Sequence, residues 1–349
     1  MNQIDMAAFG LSDRFAALAK EYDKLTVGRV LSQEKSLYRV ISEYGEQLAE
    51  TSGKFRYEVR SVSDFPAVGD FVMMDCEKGN RAIIHNVLTR KSAFIRKAAG
   101  TSNKEQIIAA NIDNVFICMS LNNDFNPRRL ERYLSICWES GAVPVVVLTK
   151  ADLCSDIAEK LSEVENVAVG ADILVTSSVE EDGCEQVARY IKAGSTIALI
   201  GSSGVGKSTL INRLLRENRI ETNGLRNDDK GRHTTTKREL FLLPDGGLLI
   251  DTPGMRELGM WDAAGGLDRT FSDVEELSDD CRFKDCSHVS EPGCAVLSAV
   301  ESGALSAERL QSYRKLKAEN DYAEDSESYL AMKKQKSKDI SKFVKKIKR

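Results

Sequence analysis

The segment best suited to chemistry runs from Gly201 to Thr209 and combines glycines, hydroxyl groups and one lysine. Its residues are Gly201, Ser202, Ser203, Gly204, Val205, Gly206, Lys207, Ser208 and Thr209. This spacing is typical of a phosphate-binding loop, in which backbone N–H groups surround phosphate oxygens. Lys207 would carry charge to the outer phosphates, and the Ser208 hydroxyl would bind Mg²⁺. An apolar strand over 196–200 and a helix over 207–215 flank the loop, which argues against a chance Gly-rich turn.

A second polar segment, Thr149-Lys150-Ala151-Asp152, follows an apolar run at 145–148. A carboxylate such as that of Asp152 accepts two hydrogen bonds from the N–H groups of guanine, which adenine cannot supply. Ser177 and Ser178, after the next apolar run, resemble an accessory loop that contacts the same base. Thr149 stands where asparagine is usual, so its brace to the phosphate loop is an open question at this point.

The order of these two segments is reversed relative to most GTPases, where the base-reading element follows the phosphate loop. Here Asp152 precedes Gly201. The sequence therefore predicts a circularly permuted nucleotide domain, in which the chain after the phosphate loop leads to the switch regions rather than to the base.

Two further segments are candidates for the magnesium and terminal-phosphate contacts. Asp251 ends an apolar strand and would reach Mg²⁺, while the amide of Gly254 would sense the terminal phosphate. Thr234 and Thr235 lie in a polar loop, and either could complete the Mg²⁺ shell. Met255 stands where Ras-like enzymes have a water-orienting glutamine. His233 is the candidate replacement, and a structural role for it stays open.

Three cysteines and one of the chain's three histidines fall within a short stretch near the C-terminus. They are Cys281, Cys286, His288 and Cys294. Three thiolates and an imidazole make a complete tetrahedral shell for structural Zn²⁺, with no position left open for catalysis. The other five cysteines are dispersed singly and are expected to be buried.

Hydrophobic patterning predicts a multidomain protein. Short strands separated by turn residues from about 25 to 94 predict an OB-fold β-barrel, which binds nucleic acid or serves as a scaffold. A basic, polar connector over 92–106 follows, and then alternating strands and helices predict a central α/β P-loop GTPase with a parallel sheet. The last section predicts a C-terminal helical zinc-binding module. The expected divisions are an extension (1–24), the OB-fold (25–95), the permuted GTPase domain (96–271), the zinc module (272–331) and a basic tail (332–349).

Composition and charge indicate the compartment and the kind of partner to expect for this protein. No apolar run approaches the roughly 20 residues of a membrane span, and the N-terminus lacks the pattern of a signal peptide. Eight cysteines without such a signal favour a reducing compartment. The tail over 332–349 has nine basic residues against one acidic residue, in a chain of net charge −4. It is either a solvated end or a contact for a polyanion such as RNA.

A β module, permuted GTPase motifs and a Cys-rich segment, in this order, resemble the RsgA (YjeQ/YloQ) family of small-ribosomal-subunit-dependent GTPases. The resemblance spans about 25–330 and rests on T-K-A-D, G-S-S-G-V-G-K-S-T, G-R-H-T-T-T, D-T-P-G and the Cys/His cluster. It implies GTP hydrolysis stimulated by the small ribosomal subunit and its rRNA, and a late role in maturation of that subunit.

We therefore expect a cytoplasmic monomer that binds GTP or GDP with Mg²⁺, holds one structural Zn²⁺ and does not bind membranes. Two alternatives stay open: an rRNA-binding protein in which the nucleotide only gates binding, and a P-loop ATPase. Stimulation of hydrolysis by purified small subunits separates the first alternative from the expectation, and competition by ATP separates the second.

Overall fold

The computed structural model describes residues 3–76, 81–97, 105–180, 183–217, 238–251 and 264–324. The chain divides into two compact units, Met1–Leu258 and Gly259–Arg349. The first unit contains both the predicted barrel and the predicted nucleotide domain. The expected domain limits remain predictions. The basic tail lies outside the described residues.

A closed five-stranded barrel forms the N-terminal part of the first unit. Its strands are β1 (Thr26–Glu34), β2 (Leu37–Ser42), β3 (Gly45–Thr51), β4 (Phe71–Cys76) and β5 (Arg81–Val87). They pair in the order β1-β2-β3-β5-β4, and β4 returns to β1, with only β3 and β5 parallel. Alternating apolar residues fill the interior: Val30, Tyr38, Val40, Ala49, Val72, Met74, Ala82 and Ile84. This closure confirms the predicted OB-like barrel.

Two short helices accompany the barrel: α1 (Asp13–Ala19) and α2 (Gly53–Glu58). In α1, which belongs to the N-terminal extension, the fully buried Phe15 packs against Phe71, with ring centroids 4.3 Å apart. The extension therefore contributes to the core at this edge of the barrel.

A two-stranded hairpin, β6 (Ala93–Lys97) with β7 (Glu105–Ala110), occupies the stretch expected to be a polar connector. That expectation was wrong for the two described ends of the stretch, because Phe94 is buried and β7 continues beyond residue 106 into apolar residues. Phe94, Ile107 and Ile108 are buried, and burial of these side chains stabilises the pair as β-structure.

A mostly parallel sheet forms the rest of the first unit. Its strands are β8 (Asn114–Ser120), β9 (Val143–Thr149), β10 (Asp172–Val175), β11 (Thr196–Ile200), β12 (Glu239–Leu242) and β13 (Leu248–Asp251). The order is β10-β9-β8-β11-β13-β12, with only β12 antiparallel to its neighbour. The helices are α3 (Pro127–Ser140), α4 (Ile157–Val167), α5 (Glu185–Tyr190) and α6 (Lys207–Leu215). The predicted α/β architecture is confirmed, and the strand over 196–200 and the helix over 207–215 have the predicted bounds.

The barrel and this sheet share a strand pairing. Ser32 of β1 pairs with Glu239 of β12, so that eleven strands form one continuous sheet. Arg39 of β2 reinforces the junction, since its Nη1 donates to Glu239 Oε1 at 2.7 Å.

Arg29 of β1 makes a second connection between the barrel and the sheet. Its side chain is buried and donates to Thr196 Oγ1 at 2.8 Å, to Phe9 O at 2.5 Å and to Gly69 O at 3.3 Å. Because Thr196 begins β11, one guanidinium joins the N-terminal extension, the barrel and a central strand of the sheet.

The second unit is helical over its described residues. Its helices are α7 (Ala264–Thr270), α8 (Ser272–Asp279), α9 (Ala295–Glu301) and α10 (Ala307–Glu324). Phe271 and Tyr313 are buried against each other, with ring centroids 5.5 Å apart. The Arg309 guanidinium lies over the Phe271 ring and donates to Asp273 at 2.6 Å. Within the described ranges, no helix is both long and apolar enough to cross a membrane.

Candidate nucleotide and metal sites

The predicted phosphate loop connects β11 to α6, at the carboxyl end of a central strand. Gly201 has a φ of +140°, and a Cβ there would lie 2.2 Å from the carbonyl oxygen of Cys118. Gly206, with a φ of +99°, precedes the first residue of α6. The glycines are therefore required by close backbone approach and by left-handed conformation. The loop leads into a helix N-terminus, which favours anions.

Lys207 is buried at the start of α6 and reaches back over the loop. Its Nζ donates to Gly201 O at 2.7 Å and also to Ser202 O. The ammonium group is thus held by the loop itself. Ser208 and Thr209 follow in the first helical turn and are half-buried, whereas Ser203 and Gly204 are exposed. This open rim and fixed cation suit a phosphorylated ligand.

The predicted base-reading segment follows β9, two strands from β11. Thr149 ends this strand, and its hydroxyl donates to the carbonyl oxygen of Val205 in the phosphate loop at 2.5 Å. The brace left open by the sequence is therefore present, with a threonine in place of asparagine. Lys150 adopts a left-handed φ of +59°, and a 3₁₀ turn over Ala151–Leu153 follows it.

The accessory loop after β10 lies beside this segment. Ser177 Oγ donates to Asp152 Oδ1 at 2.6 Å, and this bond fixes the orientation of the carboxylate. On the other side, Arg213 of α6 donates to Ser178 O at 3.0 Å. The three segments predicted to contact the nucleotide are therefore brought together at one edge of the sheet and joined by side-chain hydrogen bonds.

The predicted magnesium and switch residues are only partly described. Ser208 lies in the first turn of α6, and Asp251 ends β13, the strand that pairs with β11. Both residues thus belong to elements that border the phosphate loop. His233, Thr234 and Thr235, and likewise Gly254 and Met255, lie outside the described residues.

The structure adds three residues that no motif indicated. Arg129 of α3 donates to the Ser202 hydroxyl in the phosphate loop and forms an ion pair with Asp124 at 3.0 Å. Burial raises the pKa of Tyr133, one turn further along α3, and the nearby Arg129 and Ser202 oppose this rise. A single arginine on an amphipathic helix has no sequence signature. The only available signal was the Asn126-Pro127 start of the helix directly after an apolar strand.

The predicted metal ligands converge in the second unit. The candidate ligand atoms of Cys281, Cys286, His288 and Cys294 all lie within 4.8 Å of one another. Cys281 Sγ is 3.8 Å from Cys294 Sγ, and His288 Nδ1 is 3.4 Å from Cys294 Sγ. Ligands of a tetrahedral zinc with Zn–S bonds near 2.3 Å are separated by about 3.8 Å. The four residues therefore fit a single tetrahedral metal ion.

The imidazole of this cluster is oriented for binding. Ser278 Oγ lies 3.1 Å from His288 Nε2, which leaves Nδ1 facing the sulfurs. Burial, followed by the neighbouring charge of Lys317, lowers the pKa of His288 and so favours the neutral ring that metals bind. A hydroxyl that holds the distal ring nitrogen is a typical outer-shell support of a metal ligand.

Comparison with known proteins places these features in a family. The sequence model for the RsgA GTPase matches residues 87–261. Small ribosomal subunit biogenesis GTPase RsgA 2 of Lactiplantibacillus plantarum is 49% identical over 321 residues, covering 91% of this chain and 90% of that protein.

Solved structures agree with this relationship. YjeQ from Thermotoga maritima superposes with a TM-score of 0.62 at 27% identity, covering 84% of this chain and 97% of that one. YloQ, described as a circularly permuted GTPase, has the same fold, with a TM-score of 0.60 at 24% identity over 84% of this chain and 94% of that one. The motif order, the barrel, the Cys/His cluster and these matches together show that the chain belongs to the RsgA GTPase family.

Proposed function

We propose that this chain hydrolyses GTP and acts in the late maturation of the small (30S) ribosomal subunit, which stimulates its hydrolysis. The observation that supports the proposal is that the predicted phosphate loop and base-reading segment lie together at one edge of the sheet and are joined by hydrogen bonds. There Thr149 braces the phosphate loop and Ser177 orients Asp152. The relative from Lactiplantibacillus plantarum supplies the biological setting, since its name assigns it to small-subunit biogenesis.

Each residue has a defined role in this proposal. Asp152 accepts the N–H groups of guanine, with Ser177 holding its carboxylate, and Lys150, Ala151 and Ser178 complete the base pocket. The backbone of the loop from Gly201 to Thr209 surrounds the phosphates, and Lys207 neutralises charge on the outer ones. The amide of Gly254 contacts the terminal phosphate.

The hydroxyls of Ser208 and of Thr234 or Thr235, with the carboxylate of Asp251, supply oxygen donors, which hard cations such as Mg²⁺ prefer. The ion, when bound, neutralises charge that develops on the phosphates during hydrolysis.

Hydrolysis also requires a group that orients the attacking water, and Met255 cannot do so. We assign this role to His233. We expect His233→Ala to lower subunit-stimulated turnover by about 10²-fold or more, as for a lost general base or water-orienting group, with little change in GTP affinity. Equal stimulated rates for the parent and the variant would return His233 to a structural role.

The metal in the second unit is proposed to be one Zn²⁺ in a purely structural role. Three thiolates and one imidazole are the ligands that zinc prefers, and four protein ligands leave no position for a substrate. All eight cysteines are free of disulfides, which fits a reducing cytoplasm. We further propose that the protein acts as a monomer, and that the basic tail over 332–349 contacts rRNA.

The deciding experiment is GTP turnover by the purified protein with and without purified small subunits, with large subunits as the control. We expect a rate that rises only with small subunits, and inhibition by GDP but not by ATP. An unchanged rate despite binding to the subunit would favour an rRNA-binding protein gated by nucleotide. Effective competition by ATP would identify an ATPase.

A further inference from the structure

Arg129 occupies a fixed position beside the phosphate loop. It is the third residue of α3, which begins after Asn126, and the Asn126 side chain accepts from the backbone N–H of Arg129 at 3.0 Å. Pro127 at the first helical position reinforces this start. The backbone of Arg129 is therefore anchored in the first turn of the helix, at the edge of the sheet where the phosphate loop lies.

The guanidinium of Arg129 is shared between an acid and the loop. Its two terminal nitrogens lie 3.0 Å from Asp124 Oδ1, and Nη1 also lies 3.1 Å from Oδ2. The same Nη1 donates to Ser202 Oγ. A planar fork that engages a carboxylate through both arms is pre-organised, which a lysine ammonium could not be.

Ser202 is held from two sides. Its hydroxyl accepts from Arg129 of α3, and its carbonyl oxygen accepts from Lys207 Nζ. The next two residues, Ser203 and Gly204, form the exposed rim of the loop. A displacement of Ser202 would therefore move the rim amides and the Lys207 ammonium together.

We propose that Arg129 is a positioning residue for the outer phosphates: anchored by Asp124, it fixes Ser202 and thereby sets Lys207 and the loop rim against the terminal phosphate. This inference rests on the proposed function. The inner phosphates are served mainly by the N-terminus of α6, and the described contacts of Arg129 lie at the opposite end of the loop. Arg129 should therefore matter for GTP more than for GDP.

The ion pair itself contributes little to folding, because the side chains of Arg129 and Asp124 are 31% and 40% exposed. An effect of Arg129 on the nucleotide is therefore separable from an effect on stability. The variants required are Arg129→Ala, Ser202→Ala, the double variant and Arg129→Lys. Arg189→Ala is the matched control, since it removes an exposed arginine from α5, where Arg189 pairs with Glu185 of the same helix.

The experiment measures the Kd for GTP and for GDP, single-turnover hydrolysis and the melting temperature of each variant. We expect Arg129→Ala to weaken GTP binding or slow turnover by about tenfold, the size of one lost charge-assisted hydrogen bond, with the GDP Kd within about twofold of the parent. Because Arg129 acts through Ser202, the double variant should be no worse than the more affected single variant. Arg129→Lys should fall between the parent and the alanine variant, and it carries the same test should the alanine variant not fold.

Multiplicative losses in the double variant would overturn the inference, and so would equal losses for GTP and GDP. A similar loss for Arg189→Ala would assign the effect to general stability and would also overturn it. The proposed function is judged separately on the parent protein. A parent that binds no GTP overturns both proposals, whereas a parent that hydrolyses GTP while the Arg129 variants behave like it overturns this one alone.

Discussion

Hydroxyl groups brace the candidate nucleotide site at the residue scale. Thr149 donates to Val205 O at 2.5 Å, and Ser177 donates to Asp152 at 2.6 Å. The first bond ties the base-reading segment to the phosphate loop, and the second points the carboxylate. Short side chains suffice here because β9 delivers Thr149 directly beside the loop, with 3.9 Å between its Cβ and the position of a Cβ on Gly206.

Thr149→Val tests the brace with almost no change in side-chain shape. The carbonyl of Val205 would lose its buried donor, which costs about 1–3 kcal/mol. We expect affinity for GTP and GDP to fall together, by about fivefold or more, in an equilibrium binding titration. Thr149→Ser retains the hydroxyl and serves as the control. Parent-like binding by the valine variant would contradict a bracing role.

Asp152→Asn tests the reading of the base. The amide would replace one acceptor by a donor, and loss of a charge-assisted hydrogen-bond pair should cost about 2–4 kcal/mol of GTP affinity. The same amide matches the extra carbonyl of xanthine, so xanthosine triphosphate should bind better than GTP. Competition titrations with both nucleotides measure this switch, and undiminished GTP binding would remove Asp152 from the base pocket.

At the same scale, the sequence predicted only residues that belong to motifs with fixed spacing. Lys207 and Asp152 were found because their neighbours define their chemistry. Arg129 was missed because its contact with Ser202 joins residues that are 73 positions apart in the sequence, and such a pair becomes visible only after folding. The sequence showed that Thr149 replaces the usual asparagine. It could not show which group the Thr149 hydroxyl bonds, because a hydroxyl has many possible acceptors.

Elements built around periodic apolar residues were predictable at the next scale. Strand β8 appears as an unbroken run because both faces of a central parallel strand are buried. The β6–β7 hairpin was missed because charged residues interrupt the pattern of apolar residues in its strands. In addition, composition does not show which strands pair with each other.

The predicted metal ligands likewise depend on the helices that flank them. Cys281 and Cys286 follow α8, His288 adopts a left-handed φ of +54°, and Cys294 caps α9 through its contact with Leu297 N at 3.4 Å. The helices and the cluster thus position each other. Loss of the ion should therefore affect the surrounding unit rather than only one loop.

Cys286→Ser should release the metal and destabilise the unit Gly259–Arg349. Structural zinc contributes on the order of 10 kcal/mol in isolated zinc-binding domains, so loss of helical signal and early proteolysis in this unit are expected. GTP binding should persist, since the candidate nucleotide residues lie in the other unit. Metal analysis of freshly purified parent and Cys76→Ser control protein should give one zinc per chain. Its absence would contradict the assignment.

At the scale of the whole molecule, the barrel is joined to the parallel sheet by the Ser32–Glu239 strand pairing and by the side chains of Arg29 and Arg39. Burial lowers the pKa of Arg29 to about 10, although the nearby charges of Asp113 and Asp70 oppose the shift. Arg29 is therefore still protonated at neutral pH and needs all of its acceptors. No sequence pattern predicted this junction, because it joins β1 to β11, and Arg29 and Thr196 lie 167 residues apart in the sequence.

Arg29→Met should lower the stability of the first unit by about 3 kcal/mol or more, because the buried acceptors of Arg29 lose their donor. Thermal or chemical unfolding measures this loss. Arg39→Met is the control, since its ion pairs with Glu46 and Glu239 are partly exposed and should contribute roughly 1 kcal/mol or less. Equal losses for the two variants would mean that the Arg29 cluster is not the main connection.

The shared pairing between β1 and β12 has a consequence for any ligand of the barrel. Thr234 and Thr235 precede β12 by a few residues in the sequence, and a displacement of β12 would move Glu239 and hence its pairing partner Ser32. Thermodynamic linkage is reciprocal. If exchange of GDP for GTP increases the affinity of the barrel for a partner by some factor, binding of that partner must increase the preference of the protein for GTP over GDP by the same factor. The dissociation constants of GDP and of GTP, each measured with and without the partner, form a thermodynamic cycle. Their ratio would measure how strongly the nucleotide state is coupled to the barrel through the continuous sheet.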